Sequence, residues 1–344
     1  MNEVCYVAYT GKAASVLKQK GCAHAITAHR LLYKARPTPE GKYVFIPKDT
    51  LGPYKVIVVD EVSMLPKTMW DLLLTHGIYI LAMGDPGQLP PVSKDEDNHV
   101  LDEPHIFLTE IMRQAQESEI IRLSMHVREG KPLSSFVATG EQVQIFKPSE
   151  IVSGMYDWAD QILCATNNKR IEINNFVRKQ KGFGEEPCEG DRIISLKNHW
   201  DFLSSKGDWS LTNGVIGTIA DARRLNRAVP RYITPKPIPY LFTDIDLGED
   251  SFMSVPIDYT ALTTGQSFLD ARQEYLLAKN KKCPTPPFDF AYAYAITTHK
   301  SQGSEWDKVL VIEERFPFSE EEHRRWLYTA ITRAKEKLVI ITKD

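Results

Sequence analysis

Apolar positions in this chain fall into short β-branched runs separated by stretches of helical period. Val4-Cys5-Tyr6-Val7-Ala8-Tyr9 reads as a buried strand that runs through Thr10-Gly11 into a helical pattern from Ala13 to Lys20, ended by Gly21. Between Arg36 and Pro53 the chain is punctuated by Pro and Gly, and the alternation of Lys42-Tyr43-Val44-Phe45-Ile46 within it predicts a small hairpin. Val56-Ile57-Val58-Val59 and Ile78-Tyr79-Ile80-Leu81-Ala82-Met83 are apolar runs of the kind found in strands buried on both faces of a parallel sheet, with a helix between them. Glu117 to Glu129 carries a helical stripe of Ile120, Ile121, Leu123 and Val127. Gln161 to Ala165 is a further strand, followed by a helix rich in Asn and Arg. From about Gly190 to Phe288 short strands alternate with Gly, Asn and Pro, the texture of a β-rich insertion, and the α/β pattern resumes at Phe290. Lys308 to Ile312 and Leu338 to Ile341 are the last strands. Strands alternating with helices predict an α/β protein of two lobes, the second interrupted.

Composition narrows the function classes without selecting one. The length of 344 residues suits two domains, and 42% hydrophobic with 25% charged residues is ordinary for a soluble globular chain. A formal charge of −3 gives no global basic signature, so any nucleic-acid contact must come from local basic positions. The five cysteines show no C-x-x-C spacing, which argues against a zinc site or disulfide framework and for a reducing compartment. No basic leader precedes an apolar run at the N-terminus, and no stretch of about 18 apolar residues occurs, so a cytoplasmic protein with no membrane partner is expected.

The chemistry-bearing residues sit where the strands end. Asp60-Glu61 closes the Val56 run, at the strand end where open α/β sheets bind ligands. In a nucleotide hydrolase the first carboxylate holds Mg²⁺ and the second orients and deprotonates water. A polar pair that merely ends a strand is the plainer reading of these two residues alone. One strand later comes Gly84-Asp85-Pro86-Gly87-Gln88-Leu89-Pro90-Pro91-Val92, a tightly shaped loop whose Gln88 amide can sense a phosphate oxygen. Two successive polar, sharply turned strand tips form adjacent walls of one site. Arg333 follows an apolar helical stretch from Trp326, and Arg113 lies in Leu108-Thr109-Glu110-Ile111-Met112-Arg113-Gln114. Either guanidinium could offset charge on a transferred phosphoryl group, although a lone arginine is more often a surface ion pair.

Taken together, these motifs resemble those of superfamily-1 helicases. Asp60 to Met64 and Gly84 to Val92 look like motifs II and III, and Thr297-Thr298-His299-Lys300-Ser301-Gln302-Gly303-Ser304-Glu305 looks like motif V. Tyr328 to Ala334 resembles motif VI, Glu110 to Gln114 motif IV, and Thr10 to Ala14 with Thr27-Ala28-His29 motifs Ia and Ib. The Thr-x-His form, the hairpin and the β-rich insert resemble the RecD-like and Dda-like branch, whose members translocate 5′ to 3′ on single-stranded DNA. The resemblance implies ATP and Mg²⁺ as cofactors, with Asp60 on Mg²⁺, Glu61 as catalytic base, Gln88 coupling γ-phosphate to DNA, and Arg113 and Arg333 reaching the γ-phosphate. It implies Gly84, Asp85, Gly303 and Glu305 near the nucleotide, and Thr10, Thr27, His29, Thr298 and His299 along a single-stranded DNA track. It also implies RecA-like, P-loop-type parallel-sheet lobes at 1–115 and at 159–188 with 288–344, a helical connector at 116–158 and an SH3-like insertion at 189–287. The hairpin at about 36–53 would then be the strand-separating pin.

One departure separates family from activity. Such motors need G-x-x-x-x-G-K-[ST], and none of the 344 residues forms it. Around Gly11-Lys12, Tyr6 stands where the first glycine is required and Ala13 where a magnesium-binding hydroxyl is required. The phosphate loop's lysine makes a charge-assisted bond worth roughly 1.5–3 kcal/mol, so the chain alone is expected to hydrolyse ATP negligibly. The first lobe is expected to lack a strand beside Val56–Val59, with the loop encoded upstream, supplied by a separate chain, or lost. A nucleotide-independent single-stranded DNA-binding accessory protein and a viral-type RNA helicase stay open as alternatives.

Overall fold

The computed structural model describes residues 3–37, 43–91, 98–108, 118–207, 210–315 and 319–343. In the first lobe β1 (Val4–Ala8) leads into α1 (Gly11–Gln19), β2 (Ile26–Thr27) and α2 (Ala28–Leu32). Antiparallel β3 (Tyr33–Pro37) and β4 (Tyr43–Pro47) form the expected hairpin, entered three residues earlier than the Pro/Gly punctuation suggests. Then come β5 (Val56–Asp60), α3 (Lys67–Leu74) and β6 (Tyr79–Ala82). The sheet is parallel in the order β2-β1-β5-β6, so all its strands deliver their C-terminal ends to one edge. Cys5, Val7, Leu31, Ile57, Val59 and Leu73 are among the residues of its core.

Two expectations about this sheet need correction. β5 is already flanked on both sides, by β1 and β6, so no strand is missing beside it. Among the described residues β6 is an edge of the sheet, and it is not doubly buried: Tyr79 is 82% exposed and Leu81 54%. Its apolar run reads like a central strand because the residues are apolar on both faces, whereas one face is uncovered here.

The connector is α4 (Glu119–Arg128), β7 (Val143–Phe146) and α5 (Ser153–Trp158). It is less helical than expected, because β7 pairs in parallel with the last strand of the chain and so belongs to the second lobe. The buried Glu119 carboxylate fixes this segment, accepting from the amides of Thr139, Gly140 and Gln142 at 2.5–3.0 Å. Those bonds hold its carboxyl below the usual carboxylate range in spite of a burial penalty.

The second lobe opens with β8 (Gln161–Cys164) and α6 (Asn167–Gln180), then breaks into the insertion. The insertion holds β9 (Arg192–Ser195), β10 (His199–Leu203), β11 (Ser210–Leu211), β12 (Ile216–Ile219), β13 (Arg223–Arg227), β14 (Ile238–Asp246) and β15 (Ser251–Asp258). Helices α7 (Tyr259–Thr264) and α8 (Ala271–Lys279) come next, then β16 (Phe290–Tyr292). The lobe resumes with β17 (Ala295–Thr297), α9 (Thr298–Ser301), β18 (Trp306–Ile312), α10 (Glu320–Ile331) and β19 (Ala334–Ile341). Its five-stranded sheet is parallel, in the order β17-β8-β18-β19-β7, whereas the insertion sheet, β13-β14-β12-β9-β16 with β15 on β14, is antiparallel. The insertion therefore extends past Phe290: β16 pairs with β9, and Phe290 and Tyr292 bury their rings in the insertion's core. The α/β pattern truly resumes at Ala295.

Candidate nucleotide site and nucleic-acid track

Parallel strands place β5 and β6 so that the loops leaving them meet. Asp60 ends β5, and its Oδ1 accepts the Glu61 amide at 3.1 Å. Glu61 stands in the left-handed region at φ 52°, a conformation that costs a non-glycine residue about 1 kcal/mol or more and is held by the turn after it. That turn, Val62–Met64, is clamped by buried Asn98, whose amide donates to the carbonyls of Val62 and Leu65 at 2.7 and 2.6 Å. Gly84 packs directly beneath it: a Cβ there would lie 3.1 Å from Val62 Cγ1. Gly84 is therefore a close-packing glycine under the carboxylates, rather than a ligand-facing one.

Electrostatics join the lobes here. Burial, with the neighbouring charges of Asp60 and Asp85, raises the Glu61 carboxyl above its ordinary value, while Arg333 opposes the rise. Arg333 comes from the far lobe, just after α10, and is 5% exposed. Burial lowers its ionisation, and Glu61 and Glu305 work against that. Its guanidinium donates to Thr329 O at 3.0 Å, Ser304 O at 3.4 Å and Thr332 Oγ1 at 3.0 Å. Asp60, Asp85 and Arg333 of the far lobe thus lie within electrostatic reach of Glu61, and Glu305 within reach of Arg333. Gln88 is 9% exposed, and its Oε1 has no hydrogen-bond partner; Ser63 Oγ and Ser304 Oγ are likewise buried without one. A buried amide oxygen left unpaired costs about 1–3 kcal/mol, and only a donor such as water can relieve it. The two serines carry no signal that sequence reading singled out beyond lying inside the motifs.

The residues fit part of a Mg²⁺–nucleotide site. Among the described residues no three His, Cys, Asp or Glu converge as a metal cluster. Mg²⁺ is commonly held through one or two carboxylates plus phosphate and water, a demand that a single carboxylate at the Asp60 position could meet. Arg113 lies outside the described residues.

The track residues divide. Thr10 and His299 line a cavity of about 370 Å³ between the lobes and the insertion, with Tyr9, Lys12, Pro90 and Lys300. His29 adjoins it through Tyr9, with ring centroids 5.7 Å apart, and also contacts Tyr33 and Phe45 of the hairpin. Burial lowers the basicity of both His29 and His299, favouring neutral rings that stack. Thr27 and Thr298 do not line the cavity. Thr27 is buried and caps α2 through Arg30 N at 3.3 Å, and Thr298 is fully buried, donating to Cys164 O at 3.4 Å. Gly303, at φ 73°, packs against α1, where a Cβ would lie 3.2 Å from Ala13 Cβ, so it seals the lobe contact.

Sequence reasoning passed over Lys12. Its ammonium lies 5.3 Å from the Trp306 ring centroid, and burial with nearby Arg192 lowers its pKa to about 8. A buried cation lining a cavity signals an anionic ligand, and only the fold shows that burial.

Two parallel-sheet lobes, acidic strand tips with an arginine of the far lobe in their field and a cavity lined by cations and rings make up an α/β architecture of RecA-like lobes. Family models agree: residues 2–147 match an AAA domain and residues 292–341 the UvrD-like helicase C-terminal domain. The chain is 25% identical over 363 aligned positions to the ATP-dependent RecD2 DNA helicase of Deinococcus radiodurans, covering 97% of this chain and 42% of that protein. It is 23% identical to the uncharacterized protein MJ1519 of Methanocaldococcus jannaschii, covering 100% of this chain and 34% of that one. The chain thus spans less than half the length of these curated relatives. Among solved structures, Pif1 helicase from Bacteroides in complex with ADP-AlF3 and ssDNA shares the fold at TM-score 0.52 and 17% identity, covering 100% and 89% of the two chains. Pif1 helicase from Candida albicans does so at TM-score 0.50 and 18% identity, covering 99% and 91%. The chain is thus similar to RecD- and Pif1-like superfamily-1 helicases, by sequence to the first and by fold to the second.

Proposed function

We propose that this chain is the core of an ATP-dependent helicase that moves along single-stranded DNA, 5′ to 3′, and that its phosphate loop comes from outside these 344 residues. The observation that carries the reading is the contact between the acidic strand tips of one lobe and the Tyr328–Arg333 segment of the other: Asp85 accepts from Tyr328 at 2.6 Å, and the buried Arg333 guanidinium is held on Thr329 O and Ser304 O. Asp60 would hold Mg²⁺, which supplies charge neutralisation at the β- and γ-phosphates. Glu61, with its raised carboxyl, takes the proton from the attacking water as the water oxygen bonds to the γ-phosphorus and the bond to the β-phosphate oxygen breaks. Gln88 and Arg333, with Arg113 as the residue implied by family, bind the phosphoryl oxygens. The DNA backbone passes Thr10, Lys12 and His299, with bases against the His29–Tyr9 rings.

The open edge at β6 supports a supplied loop. A strand pairing there in parallel would bring the loop after it to the strand ends where Asp60 and Asp85 lie, and would cover exposed Tyr79 and Leu81. A lysine from such a loop complements the carboxylates of Asp60, Glu61 and Asp85. A strand followed by G-x-x-x-x-G-K-[ST], whether from the same polypeptide or from another, is the segment we propose completes this edge.

The test measures ATP hydrolysis by the purified chain with and without oligo(dT), then with a co-expressed strand–phosphate loop–helix segment. We expect negligible turnover alone and DNA-stimulated turnover with the segment. Strong DNA-stimulated hydrolysis by the chain alone would refute the supplied loop. Tighter binding to an RNA oligonucleotide than to DNA of the same sequence would refute the DNA track.

A further inference from the structure

The loop from Gly84 to Pro91 leaves β6 of the first lobe, yet its contacts lie mainly elsewhere. Asp85 Oδ2 accepts from the Tyr328 hydroxyl of α10 at 2.6 Å, and Asp85 Oδ1 lies 3.8 Å from Arg128 Nη1 of α4. Arg128 in turn lies over the Tyr328 ring, 5.9 Å from its centroid. Gly87 rests on the same ring: a Cβ there would stand 3.0 Å from Tyr328 Cε1. Leu89 N donates to Thr329 Oγ1 at 2.9 Å, Gln302 Nε2 donates to Leu89 O at 3.1 Å, and both bonds are buried. The Leu89 side chain packs in the second lobe's core beside Trp326, Leu327 and Tyr328. Among the described residues, the hydrogen bonds that join residues 85–89 to other segments run to the second lobe.

We infer that Tyr328 and Arg128 are positioning residues that hold the Asp85–Leu89 loop on the second lobe, so that Gln88 travels with Arg333 and not with Asp60 and Glu61. The inference rests on the proposed reading of the cleft as a nucleotide site. Thr329 makes the linkage direct. Its hydroxyl accepts from Leu89, and its carbonyl accepts from Arg333 Nε at 3.0 Å, so the sensing amide and the arginine share one helical turn. Gln88 lies between two anchored neighbours, Gly87 and Leu89, with its Oε1 unpaired. Relative motion of the lobes must then be taken up before the loop, at Met83–Asp85, and it changes the distance from Gln88 to the carboxylates. A loop fixed to the first lobe would leave that distance constant whatever the lobes did.

Tyr328→Phe tests this, because it keeps the ring under Gly87 and removes only the bond to Asp85. Hydrogen exchange of the purified chain should speed up about tenfold at the 85–89 amides, the loss expected for one charge-assisted bond, with β1 and β19 amides unchanged. Gly87→Ala, which pushes on the ring from the other side, should raise exchange at the same amides. In the assembly carrying the supplied loop, Tyr328→Phe should lower kcat about tenfold with KM for ATP within about twofold. Unchanged exchange at 85–89, or faster exchange spread evenly over both lobes, overturns the inference, the latter showing a merely structural role. If the assembly has no ATPase at all, the functional reading fails while the exchange data still decide on the latch.

Discussion

Lys12 offers the sharpest test of the nucleic-acid track, because its burial makes its charge conditional. Its pKa falls from 10.5 to about 8 for two reasons, burial first and then repulsion from Arg192. Neighbouring Lys300 is lowered as well, by burial first and then by Arg170, and His299 by burial. Among the described residues the ammonium of Lys12 meets an aromatic ring and no carboxylate, so a DNA phosphate would be its counter-ion and would restore the ordinary pKa. Raising pH from 7 to 9.5 then requires proton uptake on binding, which weakens affinity by at most about 30-fold and, after screening by solvent, about tenfold. The sign for stability is opposite. A lysine with a lowered native pKa makes the unfolded chain the better proton binder between about 8 and 10.5, so this group makes folding more favourable as pH rises there. Weaker binding at pH 9.5 is therefore not unfolding. The assay is fluorescence anisotropy of a labelled oligo(dT) at fixed ionic strength, since phosphate contacts depend steeply on salt. Lys12→Arg should keep its affinity at pH 9.5, and Lys12→Met should bind about tenfold more weakly at pH 7 with a flattened profile. If Lys12→Met retains the full pH dependence of the parent, Lys12 is not the titrating group and the cavity is not where the backbone passes.

Further perturbations probe the catalytic cleft and the joints around it. Glu61→Gln should abolish hydrolysis in the complemented assembly while nucleotide binding persists. Because a raised native carboxyl destabilises the fold above its unfolded pKa, the same change should raise the melting temperature slightly at pH 7. Gly11→Val should destabilise by about 1–3 kcal/mol in urea titrations, since even a Cβ at Gly11 would lie 2.5 Å from Thr212 of the insertion. Glu119→Gln should cost about 2–3 kcal/mol, because three backbone amides lose their charged acceptor. As the native Glu119 carboxyl is lowered, the difference between parent and variant should shrink as pH falls through its native pKa, measured by thermal melts.

Strand positions were legible in the sequence wherever apolar β-branched residues ran together, because period and composition are local properties. Val56–Asp60, Gln161–Cys164 and Trp306–Ile312 fall where their runs predict them. Sheet order is not local. Tyr79–Ala82 looks like a central strand until pairing shows it at an open edge, and Phe290–Tyr292 reads as lobe until its ladder to β9 puts it in the insertion. The same divide runs through the site. The acidic tips and Arg333 are visible because strand ends and motif spacing expose them. Lys12, Tyr328 and Arg128 act through tertiary neighbours that no spacing encodes. Thr27 and Thr298 show the converse, with hydroxyls at track-like positions that the fold uses on its own backbone.

What keeps the cleft from collapsing on itself is the way Arg333 is satisfied. A buried guanidinium facing raised Glu61 would close onto it if nothing else bound it, and the resulting pair would exclude a phosphate. Here Arg333 instead donates to Thr329 O, Ser304 O and Thr332 Oγ1, all on its own lobe, and among the described residues it forms no direct ion pair with Glu61. Glu61 is held away on its own side by a left-handed turn pinned through Asn98. Each charge thus bears a burial penalty that its partner relieves only partly. An anionic phosphoryl group between them would relieve Arg333, and transfer of a proton from water would relieve Glu61. The burial strain on both charges therefore favours a bound phosphoryl group over an empty closed cleft, and a water held beside it could donate to the unpaired Gln88 Oε1.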